Sequence, residues 1–229
     1  MGFWSRIKNA IKKVVRVVKA VVRLVVRIVV TVVGYVIAAV TILFPKKVRL
    51  QIFILSYDGV NGIINKEALI PSINYARRVM KDRFQATLRP YSKEWVQVIT
   101  EKAPNQVLNV HCGLTGYGEE YGVAGDFFAK HLAGWNAIPI SLTFPITVFI
   151  VDNIAVKNGC SFGPLTDYVT VDLDGVAETS TMMHEIGHAC NLWHSNVKSN
   201  LMWPNNNRGD AVTLAQKITV RSSRHLTPW

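Results

Sequence analysis

Acidic residues are absent from the first 57 positions of this 229-residue chain, in which Asp58 is the first carboxylate. Residues 1–49 hold eleven of the 26 Lys and Arg residues, so the formal net charge of +11 belongs to this segment. The other fifteen bases balance the fifteen acids. The rest of the chain is therefore near neutral, so no basic patch for nucleic acid is indicated and nucleic acid is not an expected partner.

Cysteine is also scarce, with three residues and no Cys-x-x-Cys pair. We expect Cys190 to pack as a small apolar side chain. Cys112 and Cys160 can form a disulfide in an oxidising compartment, and the sequence alone leaves this pairing open.

The acid-free segment divides into two parts. Between Arg6 and Arg27, eight cations fall within an arc of about 160° when the segment is drawn as a helix. They occupy odd and even positions, so a strand would scatter them over both faces. Residues 1–27 are therefore predicted to form a cationic amphipathic helix. Residues 28–44 carry no charge and measure about 25 Å as a helix, which is at the short end for crossing a bilayer.

Three interpretations of residues 28–44 compete. Strongly basic flanks disfavour a buried core helix, and a cleaved signal peptide would have a much shorter basic region. The prediction is a retained transmembrane anchor over residues 28–45, with the lipid bilayer as partner. Eight cations precede the span against three shortly after it, so the positive-inside bias places the N-terminus in the cytoplasm and residues 46–229 outside it, in a single-pass membrane protein.

A histidine motif carries the strongest chemical signal, His-Glu-Ile-Gly-His-Ala-Cys-Asn-Leu-Trp-His from His184 to His194. Residues four apart on a helix lie one above the other, so His184 and His188 can reach a single metal ion. Glu185 lies beside that ion without binding it, where it can take a proton from a metal-held water. His194 can be a third ligand only if the helix ends and the chain turns back. Three imidazoles with one open position are typical of a catalytic zinc site.

Asn191 marks the expected end of that helix. Only glycine tolerates the left-handed conformation just after a helix cap better than asparagine does. Beyond the third histidine come Ser195 and, at residues 201–204, the sequence Leu-Met-Trp-Pro. With these residues the chain resembles the metzincin zinc endopeptidases, most closely the matrixin branch. Those proteins have a serine after the third histidine and a Leu-Met-x-Pro turn whose methionine, here Met202, lies beneath the metal. Asn191 departs from their pattern, since they carry glycine there.

The resemblance spans roughly residues 184–204. It implies an α+β, zincin-like (metzincin) catalytic domain over residues 46–229, with a mixed twisted sheet, an active-site helix and a C-terminal helix, preceded by the N-terminal membrane helix. It implies Zn²⁺ as cofactor, with Met202 as a structural residue and an extended peptide or protein substrate paired with an edge strand. Gly159–Gly163 is the candidate edge. The pocket for the residue after the cut would be walled by the metal helix and residues 203–207.

Two further features of the family are not expected. Pro204 stands where some metzincins carry a tyrosine that binds the metal. We therefore do not expect a tyrosine ligand here. No segment resembles the cysteine-containing propeptide of matrixins. The oligomeric state is left open by the sequence.

Local patterns predict the remaining elements. An unbroken apolar run at residues 146–151 indicates a central parallel strand, and glycines from 113 to 125 indicate a long loop. The active-site helix is expected to start near Val176 with Asp174 as its N-cap. Other predicted elements are strands at 48–55, 85–89, 106–110 and 168–173, and helices at 66–83, 93–102 and 211–224.

These patterns predict a membrane-anchored zinc-dependent endopeptidase in which zinc on His184, His188 and His194 activates a water and Glu185 is the general base. Two alternatives belong to other classes. The cationic helix can itself be the effector of a membrane-active protein, or the domain can be a catalytically inactive, metzincin-like module that binds peptides. Retention of Glu185 argues against the inactive module, and a complete neutral domain argues against a pure membrane effector.

Overall fold

The computed structural model describes residues 3–112, 122–133, 145–163 and 166–228. The N-terminal part is a single continuous helix, α1 (Phe3–Thr41), with no break between the cationic and the uncharged segments. Among the described residues, one stretch, Arg6–Ile37, is long and apolar enough to cross a membrane by length and composition. Of its most apolar 18-residue segment, 19% is buried.

Seven strands form one mixed sheet behind this helix. The spatial order is β2-β1-β5-β8-β7, with β3 and β9 also paired to β1. Neighbours are parallel except for β7 against β8 and β9 against β1. The strands are β1 Lys46–Ser56, β2 Ala86–Pro90, β3 Val96–Lys102, β4 Asn109–Val110, β5 Ile146–Ile150, β6 Asn153–Ile154, β7 Gly159–Ser161, β8 Tyr168–Val171 and β9 Leu226–Thr227, of which β4 and β6 make a separate pair.

The central strand β5 is buried along its whole length, as its apolar run predicts. Its side chains alternate between two cores: Ile146, Val148 and Ile150 pack in one apolar cluster, and Phe149 packs in the other. The helices that cover the sheet are α2 Ile70–Asp82, preceded by a 3-10 turn at Lys66–Leu69, then α3 Asn105–Leu108, α4 Val123–Lys130, α5 Leu173–Ala177, α6 Thr181–Ala189 and α7 Leu214–Arg221. This is an α+β architecture with a mixed sheet.

Three local predictions are wrong. Residues 93–102 do not form a helix, because Val96–Lys102 pairs in parallel with the second half of β1 and this pairing overrides local helix propensity. Residues 106–110 are helical first, and only Asn109–Val110 is strand. The active-site helix does not start at Val176. A separate short helix, α5, is capped by Asp172, whose side chain accepts a hydrogen bond from Gly175, and the chain leaves it at Glu178 before α6 begins. Of the glycine-rich loop predicted at 113–125, residues 113–121 lie outside the described residues.

The helix α1 contacts the domain at a few points. Arg16 forms an ion pair with Asp126 on α4 at 2.9 Å. Gly34 lies so close to Arg224 that an added Cβ would be 2.5 Å from the arginine Cβ. Most large apolar side chains of α1 remain exposed, among them Trp4, Ile11, Val14, Val18, Val21, Val22, Val25, Val29, Val32, Val36 and Val40. The apolar face of the helix is thus largely uncovered by the protein.

Candidate metal centre and cleft

The helix α6 ends in the turn that the motif requires. Asn191 adopts φ 72°, in the left-handed region. The Asn191 N–H donates to the His188 carbonyl and the Leu192 N–H donates to the Gly187 carbonyl, both at 2.9 Å. These two bonds are the Schellman arrangement, which satisfies the last carbonyls of a helix and reverses the chain. Asparagine therefore fills the position that its tolerance of positive φ predicts.

The reversal brings His194 back to the two histidines of α6. One ligand atom of each of His184, His188 and His194 lies within 4.8 Å of the others. The His188 Nε2 atom is 3.2 Å from the His184 Nε2 and 3.1 Å from the His194 Nε2. Two nitrogens bound to one zinc in tetrahedral geometry lie about 3.3 Å apart, from zinc–nitrogen distances of about 2.0–2.1 Å. The spacing of the three side chains fits one zinc ion.

Hydrogen bonds fix the tautomers of the two helical histidines. The Nδ1 of His184 contacts the Leu201 carbonyl at 2.9 Å, and the Nδ1 of His188 contacts the Leu192 carbonyl at 2.7 Å. A carbonyl only accepts, so each Nδ1 must carry the hydrogen and each neutral ring must present an Nε2 lone pair. Two lone pairs facing each other repel unless a cation or proton lies between them. The donor set therefore fits a metal, with backbone carbonyls orienting the rings.

Burial keeps these imidazoles neutral. It lowers the pKa of His184 to about 3 and that of His188 to about 4, and it also lowers the pKa of His194. The charge of Arg208 lowers all three pKa values further, and the charge of Lys157 lowers those of His188 and His194. Neutral imidazole is the form that binds a metal, so the cluster is ready to bind at neutral pH.

Glu185 lies beside the cluster and packs against the edge strand. It is buried, and this burial raises its pKa to about 8 while Arg208 and Lys157 act in the opposite direction. Gly159 of β7 faces it: an added Cβ would lie 2.6 Å from Oε1 and 2.9 Å from Cδ of Glu185. Only glycine leaves room for this carboxylate, so β7 and Glu185 are positioned together.

Met202 lies under the helix at the point where glycine allows close approach. Its side chain is fully buried, and a Cβ on Gly187 would be 2.7 Å from its Sδ. The Met202 N–H donates to Asn200 Oδ1 at 2.8 Å, and its carbonyl accepts from the Ser195 N–H at 2.9 Å. The methionine turn is therefore bonded to the segment that carries the third histidine.

Sequence reasoning missed the pair that supports this turn. The Asn200 side-chain amide donates to Gln216 Oε1 at 2.9 Å, and the Gln216 amide donates back to Asn200 Oδ1 at 3.2 Å. Gln216 also completes a capping box with Thr213 at the start of α7. The spacing Thr-x-x-Gln signals such a box in sequence, but it does not show that the same glutamine reaches the methionine turn.

A cleft of about 1200 Å³ opens over the cluster. Its floor is α6 with Glu185 and the three histidines, one side is residues 156–163, and the other is residues 204–208. β7 stands at the end of the sheet, antiparallel to β8. The Cys112–Cys160 disulfide joins β7 to the second residue after β4, and both of its cysteines line the cleft. The Gly159–Gly163 segment is thus placed where the predicted edge strand should be.

No family model matches the chain, and no curated protein matches it. Among solved structures, the chain is similar to metalloproteinase-II from Bacteroides fragilis, with a TM-score of 0.51 and 13% sequence identity. The match covers 75% of this chain and 51% of that protein, so this chain spans about half of its length. The shared feature is the fold. Within that fold, the three-histidine cluster is a group that can hold a metal ion.

Proposed function

We propose that the protein is a membrane-anchored zinc endopeptidase of metzincin type, matrixin-like in its motif, with His184, His188 and His194 as zinc ligands. The observation that carries the proposal is the pair of Nε2 lone pairs of His184 and His188 facing each other at 3.2 Å, with both Nδ1 atoms committed to carbonyls. A buried arrangement of this kind is costly without a cation and favourable with one.

The residues of the chain divide the chemistry among them. Zinc, when bound, polarises the scissile carbonyl and lowers the pKa of a water. Glu185 would take a proton from that water on its carboxylate and pass it to the leaving amine. β7 binds the substrate backbone by strand pairing, and this places the scissile bond above Glu185 because Gly159 and Glu185 are in contact.

The membrane part of the proposal rests on α1. Residues 28–45 cross the bilayer, the N-terminus is cytoplasmic and the catalytic domain is extracytoplasmic. The exposed apolar face of α1 supports a lipid environment, since a surface of this size marks a membrane or partner contact. For α1 to cross the bilayer, the contacts of Gly34 with Arg224 and of Tyr35 with Asn191 must open. A residue inside the hydrocarbon region cannot also contact the surface of the domain outside the membrane.

One experiment tests the enzymatic proposal. The full-length protein, purified in detergent micelles, is assayed for bound zinc and for cleavage of a mixed peptide library with and without a chelator. We expect one zinc per chain and internal cleavage that the chelator abolishes and zinc restores. Zinc binding without cleavage would leave the inactive peptide-binding module as the better description. Membrane permeabilisation that is unaffected by the chelator, without cleavage, would favour the cationic membrane-active protein, to which the exposed apolar face of α1 also gives support.

A further inference from the structure

Arg208 lines one side of the cleft, and part of its charged guanidinium is buried. It follows the loop at residues 204–207, lines the cavity and is partly buried. Its Nε donates to the Asn205 carbonyl at 3.2 Å, which fixes the side chain against its own loop. Its Nη1 is buried and, among the residues that the structure describes, has no hydrogen-bond partner. A buried guanidinium nitrogen without an acceptor is destabilising, and a ligand that supplies one removes the cost.

The neighbouring acids do not supply that acceptor. Glu185 and Glu178 are near enough for their charges to raise the pKa of Arg208, which burial lowers. Glu178 instead accepts from the Ser180 hydroxyl at 2.9 Å. Glu185 is packed against Gly159. In the described part of the chain, no hydrogen bond joins either carboxylate to Arg208.

The lining of the cleft has an excess of positive charge. Among the described residues that line it, Glu185 is the only acid, whereas Lys157 and Arg208 are both basic. Lys157 is exposed, on the side that leads into β7, so water screens its charge. Arg208 is largely withdrawn from water, where a charged hydrogen bond has more effect. A guanidinium also matches the two oxygens of a carboxylate in geometry, and a carboxylate is the anion that the side chains of an unmodified peptide carry.

We propose that Arg208 makes the cleft selective for substrates with a glutamate or aspartate side chain directly after the scissile bond. The inference rests on the proposed peptidase function, and it names the substrate class for that site. The helix α6 and residues 203–207 are the two walls predicted for the pocket that receives this residue, and Arg208 directly follows the second wall. The substrate carboxylate pairs with the Arg208 guanidinium, which turns toward the cleft so that the buried Nη1 gains the acceptor it lacks among the described residues.

The test uses full-length protein and internally quenched peptides that differ only at the position after the cut, with Glu, Gln, Leu or Lys there. All peptides end in an amide, and one neutral peptide with a free C-terminal carboxylate is added. In wild type, kcat/KM for the Glu peptide should exceed that for the Gln peptide by about 10- to 100-fold, the range expected for a hydrogen bond to a charged group. Preference for the free C-terminus instead of the Glu side chain would overturn the side-chain assignment.

Substitutions show which residue causes the preference for the Glu peptide. Arg208→Met should abolish the Glu-over-Gln ratio while it retains zinc and cleavage of the Leu peptide, and Arg208→Glu should favour the Lys peptide. Lys157→Met removes the same charge from the other side of the cleft and should keep most of the ratio. Lys81→Met, on the exposed surface of α2, should leave all rates unchanged. An unchanged ratio in Arg208→Met would refute the role of Arg208.

Failures of the two proposals are distinguishable. If wild type cuts none of the peptides, the proposed peptidase function is wrong and this inference falls with it. If wild type cuts the Gln and Leu peptides as fast as the Glu peptide, the peptidase function stands and the acidic preference is wrong. The wild-type comparison decides this even if a variant at position 208 does not fold.

Discussion

The metal-centre region, residues 181–204, and the helix α1 hold their side chains in opposite ways. In the metal-centre region, groups at the site have specified hydrogen-bond partners: the His184 ring bonds to the Leu201 carbonyl, and the Met202 backbone bonds to Asn200. Nearly every side chain of α6 is buried. The local structure determines what this region can do, because changing one group leaves another without its partner.

The helix α1 has 39 residues but few such partners. Arg16 pairs with Asp126, Lys46 donates to Thr41 at the end of the helix, and most apolar side chains are exposed. Its behaviour therefore depends on what surrounds it, a bilayer or water. The comparison teaches that the metal-centre region depends on specific contacts within the protein, whereas the environment of α1 depends on the composition of its exposed surface. Changes in the two regions should accordingly have different consequences.

The largest effect should come from Glu185 and the three histidines. Glu185→Ala should retain zinc, since it removes no ligand, yet lose about 10²- to 10⁴-fold in turnover, the range for a general base. Alanine at His184, His188 or His194 should lose the metal and activity with it. Zinc content by atomic spectroscopy and cleavage rates separate the two classes. If Glu185→Ala cuts peptides as fast as wild type, the mechanism is wrong.

Removal of α1 should abolish membrane association of the protein and leave its zinc binding and peptide cleavage unchanged. Full-length protein should pellet with membranes and resist high-salt extraction, and a chain without residues 1–41 should be soluble. This boundary keeps the Ile42 and Phe44 carbonyls that accept from Arg221. Extraction of the full-length chain by salt alone would indicate interfacial binding without a spanning helix. Protection of the domain from a protease added to intact cells would refute the proposed orientation.

An intermediate effect is expected at Gly159. Gly159→Ala places a Cβ within 3 Å of the Glu185 carboxylate, so the carboxylate must move or β7 must withdraw. A displacement of about 1 Å near the reacting groups can cost about 100-fold, and zinc content should not change. Gly163→Asn is the matched control, because nothing lies within 4 Å of that position and asparagine tolerates its φ of 69°. Equal rates for Gly159→Ala and wild type would show that this contact does not position the base.

The smallest effect is expected at Asn191. Asn191→Gly should be tolerated and change the unfolding free energy by at most about 1 kcal/mol, because glycine enters the left-handed region without steric cost. Asn191→Val should weaken zinc retention by displacing His194. Gln85→Val is the control, since Gln85 has φ 51° but does not line the cleft, so this variant should lose stability without losing zinc. Full zinc content in Asn191→Val would show that the turn does not position His194.

The proximity of the three histidines could be predicted from the sequence because the information for it is local. Spacing on one helix turn places His184 above His188, and the conformational tolerance of Asn191 predicts the reversal that returns His194. By contrast, nothing within residues 93–102 reveals that Val96 pairs beside Ile52 of β1, since the partner strand lies far away in the chain. Gln216 was missed for the same reason. Its capping role is visible in sequence, but its bonds to Asn200 depend on how α7 docks.

The Cys112–Cys160 disulfide has a consequence for handling the protein. The two cysteines are 48 positions apart, so the covalent loop between them includes α4 and β5. A chain cut once inside this loop by a protease stays in one piece until it is reduced. Gels run with and without a thiol would then give different band patterns for the same sample. A preparation that migrates as a single intact band without reductant can therefore contain cleaved molecules.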